Sequence, residues 1–239
     1  MKIAILGYGK MGKAIEKIAL NRGHEIVLKI HRENQEQCNL QNLNQADVVI
    51  DFSIPDSAKA NILLAVDANT PIISGTTGWL DDYDEVAEYC REKDSAFLYA
   101  SNFSLGVNLF FELNKNLAKL MNSHDQYQID MTEIHHTQKL DAPSGTAISL
   151  AEQIMAENTL KKNWVLDSES SEGNINIDAI REGGVPGTHV VNYKSEIDTI
   201  TIKHEAHSRE GFAFGAIIAS EWILNRKGVF SMHDVLFSK

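Results

Sequence analysis

Residues 2–12 read KIAILGYGKMG, and this stretch decides the fold. Its first five residues form a short apolar run of the kind found in buried parallel strands. Gly7, Gly9 and Gly12 follow with the spacing G-x-G-x-x-G. Such a loop after a strand is typical of dinucleotide binding, because the glycines permit a tight turn and let the backbone approach a pyrophosphate. The stretch therefore predicts a nucleotide site at the start of a β-α-β unit.

The segment after the glycines supplies the rest of this unit. Its apolar residues recur on one helical face, at Met11, Ile15, Ile18 and Ala19. Gly23 is placed to end the helix, and residues 25–30 form a second apolar run. A helix between two strands is what the dinucleotide-binding fold requires.

The end of the second strand bears on the choice of nucleotide. An acidic residue about 20 positions beyond the glycines commonly binds the ribose hydroxyls, but Ile30 is followed here by His31 and Arg32. A guanidinium can pair with a 2′-phosphate, so Arg32 favours NADPH over NADH. The alternative is that Arg32 is a solvated loop residue and that Glu33 binds the ribose.

The first part of the chain continues with alternating strands and helices. We predict strands at residues 47–52, 71–74 and 96–100 and helices at 55–67 and 81–93. In the helix at 55–67 we expect four residues to face inward, namely Ala60, Leu63, Leu64 and Ala68. Ligands of open α/β sheets lie beyond the carboxyl ends of the strands, where Gly75-Thr76-Thr77-Gly78 and Ser101-Asn102-Phe103-Ser104 are expected. The first loop offers backbone amides and two hydroxyls to a cofactor, although a plain turn is the alternative.

The character of the sequence changes after a long amphipathic helix at residues 106–121. The apolar residues of this helix are Leu109, Phe110, Leu113, Leu117, Leu120 and Met121. Period-two alternation then predicts strands at 127–134, 175–178, 189–193 and 197–204. A helix is expected at 146–157, a loop at 161–173 and a hairpin connection at 181–187. Residues 214–224 read as a helix, and Ser231 can cap a last short helix to Phe237.

These patterns predict an α/β fold with two domains. Residues 1–104 with 209–239 form a Rossmann-like dinucleotide-binding domain, onto which the C-terminal tail returns. Residues 105–208 form an α+β domain for substrate binding and oligomerisation, with a largely antiparallel or mixed sheet covered on one face.

Composition narrows the class of protein. The 239 residues carry a net charge of −11 and no run of Lys or Arg, which disfavours nucleic acid as a partner. Cys38 and Cys90 are too few for a disulfide framework or a metal cluster, so we expect no metal and a reducing, cytoplasmic location. No stretch is long and apolar enough for a membrane span, and no signal peptide is expected because residue 2 enters a strand at once.

A second stretch, EIHHTQKLDAPSGTA at residues 133–147, concentrates reactive side chains. It holds His135, His136 and Lys139, followed by Gly145 and Thr146 at the expected start of a helix. The free N–H groups of a helix N-terminus attract anions. Together these groups predict a site for a negatively charged substrate that must be protonated. The alternative is a polar loop with solvated histidines.

Four motifs in this order resemble the dihydrodipicolinate reductase (4-hydroxy-tetrahydrodipicolinate reductase) family. They are GYGKMG at residues 7–12, GTTGW at 75–79, SNFSLG at 101–106 and the stretch 133–147. The family's Arg-x-Gly-x-x-x-Gly-x-His pattern appears at residues 181–189, and its Ser-Arg pair at 208–209. The resemblance extends from residue 2 to about residue 235. It departs in a glycine loop one residue shorter than in many members and in the missing acidic residue near His31.

The resemblance implies NAD(P)H-dependent reduction of 4-hydroxy-tetrahydrodipicolinate (dihydrodipicolinate) to tetrahydrodipicolinate in lysine and diaminopimelate biosynthesis. It implies His135 as general acid/base and Lys139 as proton donor, with His136, Gly145 and Thr146 binding a substrate carboxylate. The implied cofactor residues are Gly7, Tyr8, Gly9, Lys10, Met11, Gly12, Arg32, Gly75, Thr76, Thr77, Ala100, Ser101, Asn102 and Phe103. It also implies a homotetramer formed through the sheet of the second domain.

Two other functions compete with this one. One is a different two-domain dehydrogenase, such as an amino-acid or aldehyde dehydrogenase, which would need another signature in its second domain. The other is a regulator that senses NAD(P)H without catalysis, which would not need His135 and Lys139 beside an anion site.

Overall fold

The computed structural model of the chain describes residues 1–168, 173–208 and 210–238. It contains two compact units. The first unit comprises Met1–Leu105 with Glu210–Lys239, and the second comprises Gly106–Arg209. In the described residues, no helix combines the length and the apolar character that crossing a membrane requires.

The strands form two sheets, one in each unit. Their bounds are β1 Lys2–Leu6, β2 Glu25–Ile30, β3 Val48–Asp51, β4 Ile72–Ser74, β5 Ala96–Tyr99, β6 Gln128–His135, β7 Asn163–Leu166, β8 Asn174–Arg181, β9 Gly187–Lys194, β10 Thr199–Ala206 and β11 Gly228–Phe230. The first sheet has the order β11-β5-β4-β3-β1-β2, and the second has the order β10-β9-β6-β8-β7.

The helices connect and cover these sheets. Their bounds are α1 Lys10–Asn21, α2 Leu40–Leu43, α3 Pro55–Asp67, α4 Tyr83–Glu92, α5 Leu105–Met121, α6 Gly145–Glu157, α7 Glu210–Ile223 and α8 Met232–Phe237. Short 3-10 turns precede α2 and α4. The predicted cap of the last helix is confirmed, because Ser231 and Asp234 form a capping box there.

The sheet of the first unit is parallel throughout, as its short apolar strands predict. One face packs against α1, α7 and α8, and the other face packs against α2, α3 and α4. This is the doubly wound arrangement that residues 2–12 predict, so the Rossmann-like part of the fold is confirmed. Because these strands all run in the same direction, the loops after β1, β3, β4 and β5 lie at the same edge of the sheet.

The predicted inward face of α3 is partly wrong. Ala60 is exposed, and the residues of α3 that are buried are Ala58, Ile62, Ala65 and Val66. Leu63 and Leu64 are only partly buried. The apolar residues of α3 surround most of the helix, so spacing alone does not show which side meets the sheet.

The sheet of the second unit is mixed, and its central strand is β6. β6 pairs in parallel with β8 and antiparallel with β9. The hairpin predicted at residues 181–187 is therefore wrong, because β6 lies between the two strands that this connection joins. Residues 163–166 form β7, an edge strand at the position of a predicted loop, and residues 169–172 of that loop lie outside the described part of the chain.

Helices α5 and α6 pack on one face of this mixed sheet, which confirms the α+β expectation. The inward face of α5 differs from the prediction, because Leu109, Leu113 and Leu120 are 50%, 52% and 71% exposed. The residues of α5 that are buried are Val107, Phe110, Asn114, Ala118 and Met121. The amide of the buried Asn114 donates a hydrogen bond to the carbonyl of Leu150, which reduces the cost of burying this polar side chain.

Candidate active site

The glycine loop of the first unit has no room for side chains where it turns. Gly7 has a φ of +86°, and a Cβ there would lie 2.0 Å from the carbonyl oxygen of Phe52. The amides of Gly7 and Tyr8 both donate to the carbonyl of Ile30. Helix α1 starts at Lys10 without a side-chain cap, so its first N–H groups are available to an anion. The loop therefore fits the pyrophosphate of a dinucleotide.

Not every side chain of this loop is directed to a ligand. The Tyr8 hydroxyl donates to Glu16, which also pairs with Lys29 at 3.0 Å. Met11 packs into the core beneath the sheet. Lys10 is exposed at the start of the helix. The nucleotide site predicted here is thus mainly a backbone site.

A cavity of about 320 Å³ opens beside the loop, at the ends of β1 and β2. Arg32 lies in its lining together with Gly7 and Ser53, whereas Glu33 does not. Within the described residues, no ion-pair partner holds the Arg32 side chain. The geometry after β2 thus makes a guanidinium available where the nucleotide ribose is expected.

Asp51, the last residue of β3, fixes the loop after β4 through hydrogen bonds. Asp51 is fully buried, and its carboxylate accepts hydrogen bonds from Thr76 at 2.7 Å and from Ser74 and Asn61 at 2.9 Å each. Burial raises the pKa of this carboxyl group, while the hydrogen bonds act in the opposite direction. Asp51 was not among the functional residues predicted from the sequence.

Only one of the two threonine hydroxyls in this loop is exposed, which corrects the prediction that both face a cofactor. Thr76 is 4% exposed, and its hydroxyl is bonded to Asp51 and to the amide of Ser53. Thr77 is exposed. Gly75 leaves no space for a side chain, because a Cβ there would lie 2.3 Å from the Phe52 ring.

The segment after β5 lies next to this loop. The amide of Ala100 donates to the carbonyl of Ser74 at 3.2 Å. Phe103 is buried, and its ring lies 5.5 Å from that of Phe52. Ser101 is exposed and Asn102 is half-buried. Ala100 and Phe103 therefore support the loop, and the two polar residues are the ones accessible to a ligand.

In the second unit, the register of the mixed sheet brings four reactive side chains together. Glu133 and His135 lie two residues apart on one face of β6. Their partners across the sheet are His189 on β9, opposite Glu133, and Arg181 on β8, opposite His135. Glu133 is fully buried, while His135 and His189 are 7% and 5% exposed. We call these four residues the glutamate cluster.

The carboxylate of Glu133 is the centre of the glutamate cluster. Its Oε1 accepts a 3.0 Å charged hydrogen bond from Arg181. Its Oε2 lies 3.6 Å from Nδ1 of His135 and 3.9 Å from Nε2 of His189. Two imidazoles and a carboxylate are also metal-ligand types, but both Glu133 oxygens already accept hydrogen bonds, from Arg181 and from the amide of Ser144.

The two imidazoles of the cluster differ in their titration. Burial is the main cause that lowers the pKa of His135, with smaller contributions from Lys139 and Arg181, while Glu133 raises it. Burial, His135, His204 and Lys139 lower the pKa of His189 to about 3. His189 is therefore neutral near pH 7, whereas the carboxylate of Glu133 favours the protonated form of His135.

Lys139, in the loop after β6, forms an ion pair with Asp141. Its Nζ lies 2.7 Å from both carboxylate oxygens of Asp141, and this contact lowers the pKa of Asp141. Arg181 donates to the backbone carbonyl of Asp141. His136, the first residue after β6, is half-buried. The predicted cationic group is present, but an acidic residue partly compensates its charge.

Helix α6 begins beside the glutamate cluster. Ser144 is its N-cap, with the hydroxyl accepting from the amide of Ala147 and lying 3.2 Å from Nε2 of His189. The amide of Ser144 donates to Glu133 at 3.0 Å. Within the described residues, the amides of Gly145 and Thr146 form no hydrogen bond, so the predicted anion site is open.

Part of this site was not predicted from the sequence. Glu133 could have been found, since period-two alternation places it on the face of His135. Ser144 is identifiable as an N-cap. The positions of Arg181 and His189 depend on the order of the strands, which the predicted hairpin had wrong. Arg209, of the Ser-Arg pair, lies outside the described residues.

The chain matches family models along nearly its whole length. Residues 1–103 match the model described as dihydrodipicolinate reductase, N-terminus, and residues 106–236 match the model of its C-terminus. A curated 4-hydroxy-tetrahydrodipicolinate reductase from Christiangramia forsetii is 53% identical, covering 99% of this chain and 98% of the relative. One from Thermosipho africanus is 33% identical with the same coverage.

A solved structure shows the same fold. It is a dipicolinate-bound dihydrodipicolinate reductase from Paenisporosarcina sp. TG-14, with a TM-score of 0.79, 23% identity and 99% of each chain covered. The resemblance seen in the four sequence motifs is thus confirmed by whole-length matches. The chain belongs to the dihydrodipicolinate (4-hydroxy-tetrahydrodipicolinate) reductase family.

Proposed function

We propose that this protein is an oxidoreductase that reduces 4-hydroxy-tetrahydrodipicolinate to tetrahydrodipicolinate with NAD(P)H, in lysine and diaminopimelate biosynthesis. The observation that carries the proposal is the buried pair of Glu133 and His135 beside the open N-terminus of α6. A titratable imidazole next to an anion site suits a dicarboxylate that must receive a proton. The curated relatives carry the name of this reductase.

The first unit fits a nicotinamide dinucleotide. Gly7 and Gly75 leave no space for side chains, and the start of α1 offers its backbone N–H groups. The backbone of the glycine loop and the accessible residues Thr77, Ser101 and Asn102 would hold the cofactor, while Thr76, Ala100 and Phe103 would support them. When bound, the nicotinamide supplies the hydride. We further propose NADPH as the preferred form, since Arg32 lines the cavity at the end of β2.

The second unit would bind the dicarboxylate. The amides of Gly145 and Thr146 would donate hydrogen bonds to one carboxylate, with His136 nearby in sequence. Lys139 would attract the dianion, since its side chain is 20% exposed. A preorganised positive site of this kind stabilises the negative charge that develops as the conjugated C=C–C=N system of the substrate is reduced.

His135 would supply the proton that neutralises this charge. Its Nδ1 faces Glu133, so Nε2 is the atom left to act on the substrate. A Cβ at position 187 would lie 3.1 Å from Nε2, and glycine at this position leaves that atom uncovered. Histidine is the side chain that most often serves in such a transfer.

The assembly and the location are proposals too. We propose a homotetramer formed through the sheet of the second unit, because the face opposite α5 and α6 carries the partly exposed apolar residues Ile134, Ile180 and Val190. Light scattering of the purified protein tests this. We propose a cytoplasmic location on the ground that Cys38 and Cys90 are both free thiols.

The test of the activity is a coupled assay. Pyruvate and aspartate semialdehyde are condensed by a purified synthase, and the loss of NADPH or NADH absorbance is followed after this protein is added. Turnover that depends on the synthase product supports the proposal. Turnover of an amino acid or aldehyde instead would indicate another dehydrogenase, and NAD(P)H binding without turnover would indicate a regulator.

A further inference from the structure

We propose that Glu133 is a positioning residue that holds the proton of neutral His135 on Nδ1 and makes Nε2 the atom that delivers the catalytic proton. The same carboxylate connects this histidine to Ser144 at the start of α6. The inference rests on the proposed function, because it assigns His135 a proton-transfer role.

Few groups lie close enough to Nδ1 of His135 to interact with a proton on this atom. Nδ1 of His135 is buried and has no hydrogen-bond partner within the described residues. The nearest acidic atom is Oε2 of Glu133, at 3.6 Å. Hydrogen bonds of catalytic groups are often long before substrate binds and shorten in the complex. A proton on Nδ1 is stabilised by this carboxylate, whereas a lone pair on Nδ1 would face a negative charge.

The charge of Glu133 also opposes the effects of burial and of the two nearby cations on the imidazole. Lys139 from the following loop and Arg181 from β8 are cations that disfavour imidazolium, and burial has the same effect. Asp141 acts in the same direction as Glu133 from the exposed side. His189 on β9 faces His135 with ring centroids 5.1 Å apart, and it contributes no negative charge. Glu133 is thus the buried group that favours the protonated acid.

Glutamine is the substitution at position 133 that changes the shape of the side chain least. The amide of Ser144 and the guanidinium of Arg181 each donate to a different oxygen of Glu133, so glutamine keeps an acceptor for one of them. What glutamine cannot supply is the negative charge opposite Nδ1. Glu133→Gln therefore removes this charge with the smallest change in packing.

The experiment compares the pH dependence of kcat/KM in the wild-type protein and in Glu133→Gln. If protonated His135 is the acid, kcat/KM falls as pH rises through its pKa. Without the opposing charge, we expect this fall to begin at a pH lower by about one unit or more. At pH values above the fall, kcat/KM of the variant should then be lower than that of the wild type by a factor of about ten or more. NADPH affinity should remain unchanged, since the first unit is untouched.

Asp130→Asn is the matched control. Asp130 lies on the same strand and pairs with Lys194, but it belongs to the opposite face of β6. Its substitution removes one negative charge from β6 without approaching His135, so we expect the wild-type pH profile. A Glu133→Gln profile that superimposes on the wild-type profile would overturn the inference.

A second measurement does not depend on the variant folding. Nitrogen-15 NMR of the wild-type histidines reports which ring nitrogen of neutral His135 carries the proton. We expect Nδ1–H, and a predominant Nε2–H tautomer would refute the role of Glu133. If the wild-type protein lacks reductase activity, the proposed function fails, but the tautomer still tests the contact between Glu133 and His135.

Discussion

Lys139 and Asp141 form a two-point ion pair, with Nζ of the lysine 2.7 Å from each carboxylate oxygen. The lysine side chain is 20% exposed and the aspartate side chain is 61% exposed. The pair therefore places its cation toward the protein and its anion toward solvent. A dicarboxylate that approaches Lys139 must compete with Asp141 for the same ammonium group.

This competition predicts opposite effects for two substitutions. Lys139→Ala should lower kcat and raise KM, because the charge acts on both the bound substrate and the transition state. Pyridine-2,6-dicarboxylate should bind this variant much more weakly. Asp141→Asn should bind the same inhibitor more tightly than the wild-type protein. Calorimetry with the inhibitor measures both, and equal affinity in all three proteins would show that the carboxylates bind elsewhere.

His135→Gln should retain cofactor binding and lose most of kcat, since the proton donor is removed while the glycine loop is unchanged. General acid catalysis commonly contributes about 10²–10⁴-fold. The control is His124→Gln, which changes an exposed histidine in the loop after α5 and should have wild-type kinetics. A His135→Gln enzyme within about threefold of the wild-type kcat would exclude this histidine from the reaction.

Arg32→Ala tests the preference for NADPH. Loss of a charge-assisted hydrogen bond costs on the order of 1.5–3 kcal/mol, which corresponds to roughly ten- to a hundredfold in NADPH affinity. NADH lacks the 2′-phosphate, so its affinity should hardly change. The ratio of kcat/KM for the two cofactors should therefore fall.

The companion substitution Glu33→Ala tests the alternative that Glu33, and not Arg32, contacts the nucleotide ribose. If Glu33 binds the ribose, this variant loses affinity for NADH while Arg32→Ala does not change the ratio. That pair of results, or a wild-type protein that prefers NADH, would contradict the assignment of Arg32.

The stability of the protein should depend on pH through His189. Its pKa is about 3 in the folded chain and ordinarily 6.5, so the unfolded state binds this proton first as the pH falls. The free energy of unfolding must then decrease below about pH 6.5, with a slope of up to about 1.4 kcal/mol per pH unit from this one group. His189→Gln lacks this contribution and should show a flatter decline in urea titrations between about pH 6 and pH 4.

The exposed His124→Gln variant again serves as the control, and it should keep the wild-type slope. Both variants lose one histidine, one exposed and one buried, so the difference between their curves reports the burial of His189. Parallel curves for the wild-type protein and His189→Gln would mean that the imidazole is solvated in the folded state.

The parts of the fold that follow local rules could be predicted from the sequence. Gly7 is required where the backbone turns with a positive φ against Phe52, and the bounds of α3 were predicted correctly from a proline start and an apolar pattern. The buried faces of α3 and α5 could not be predicted in this way. Both helices carry more apolar residues than the sheet covers, so Leu109 and Leu113 remain exposed.

The candidate active site also has one part that local sequence predicts and one part that depends on long-range contacts. The two histidines, Lys139 and the start of α6 lie within one stretch of sequence and were identified together. Arg181 and His189 reach Glu133 only because β8 and β9 flank β6, and strand order is a long-range property that period-two alternation does not contain. Asp51 was missed for a related reason, since its three donors come from α3, β4 and the loop that follows.

The central position of β6 also has a consequence for local unfolding. Glu133 and His135 lie on a strand whose backbone is paired on both sides, whereas β7 and β10 are the edges of the sheet. Edge strands open with less free energy than the strands they flank. The amides of β6 should therefore exchange with deuterium more slowly than those of β7 and β10, and fraying at either edge leaves the acid and its carboxylate in place.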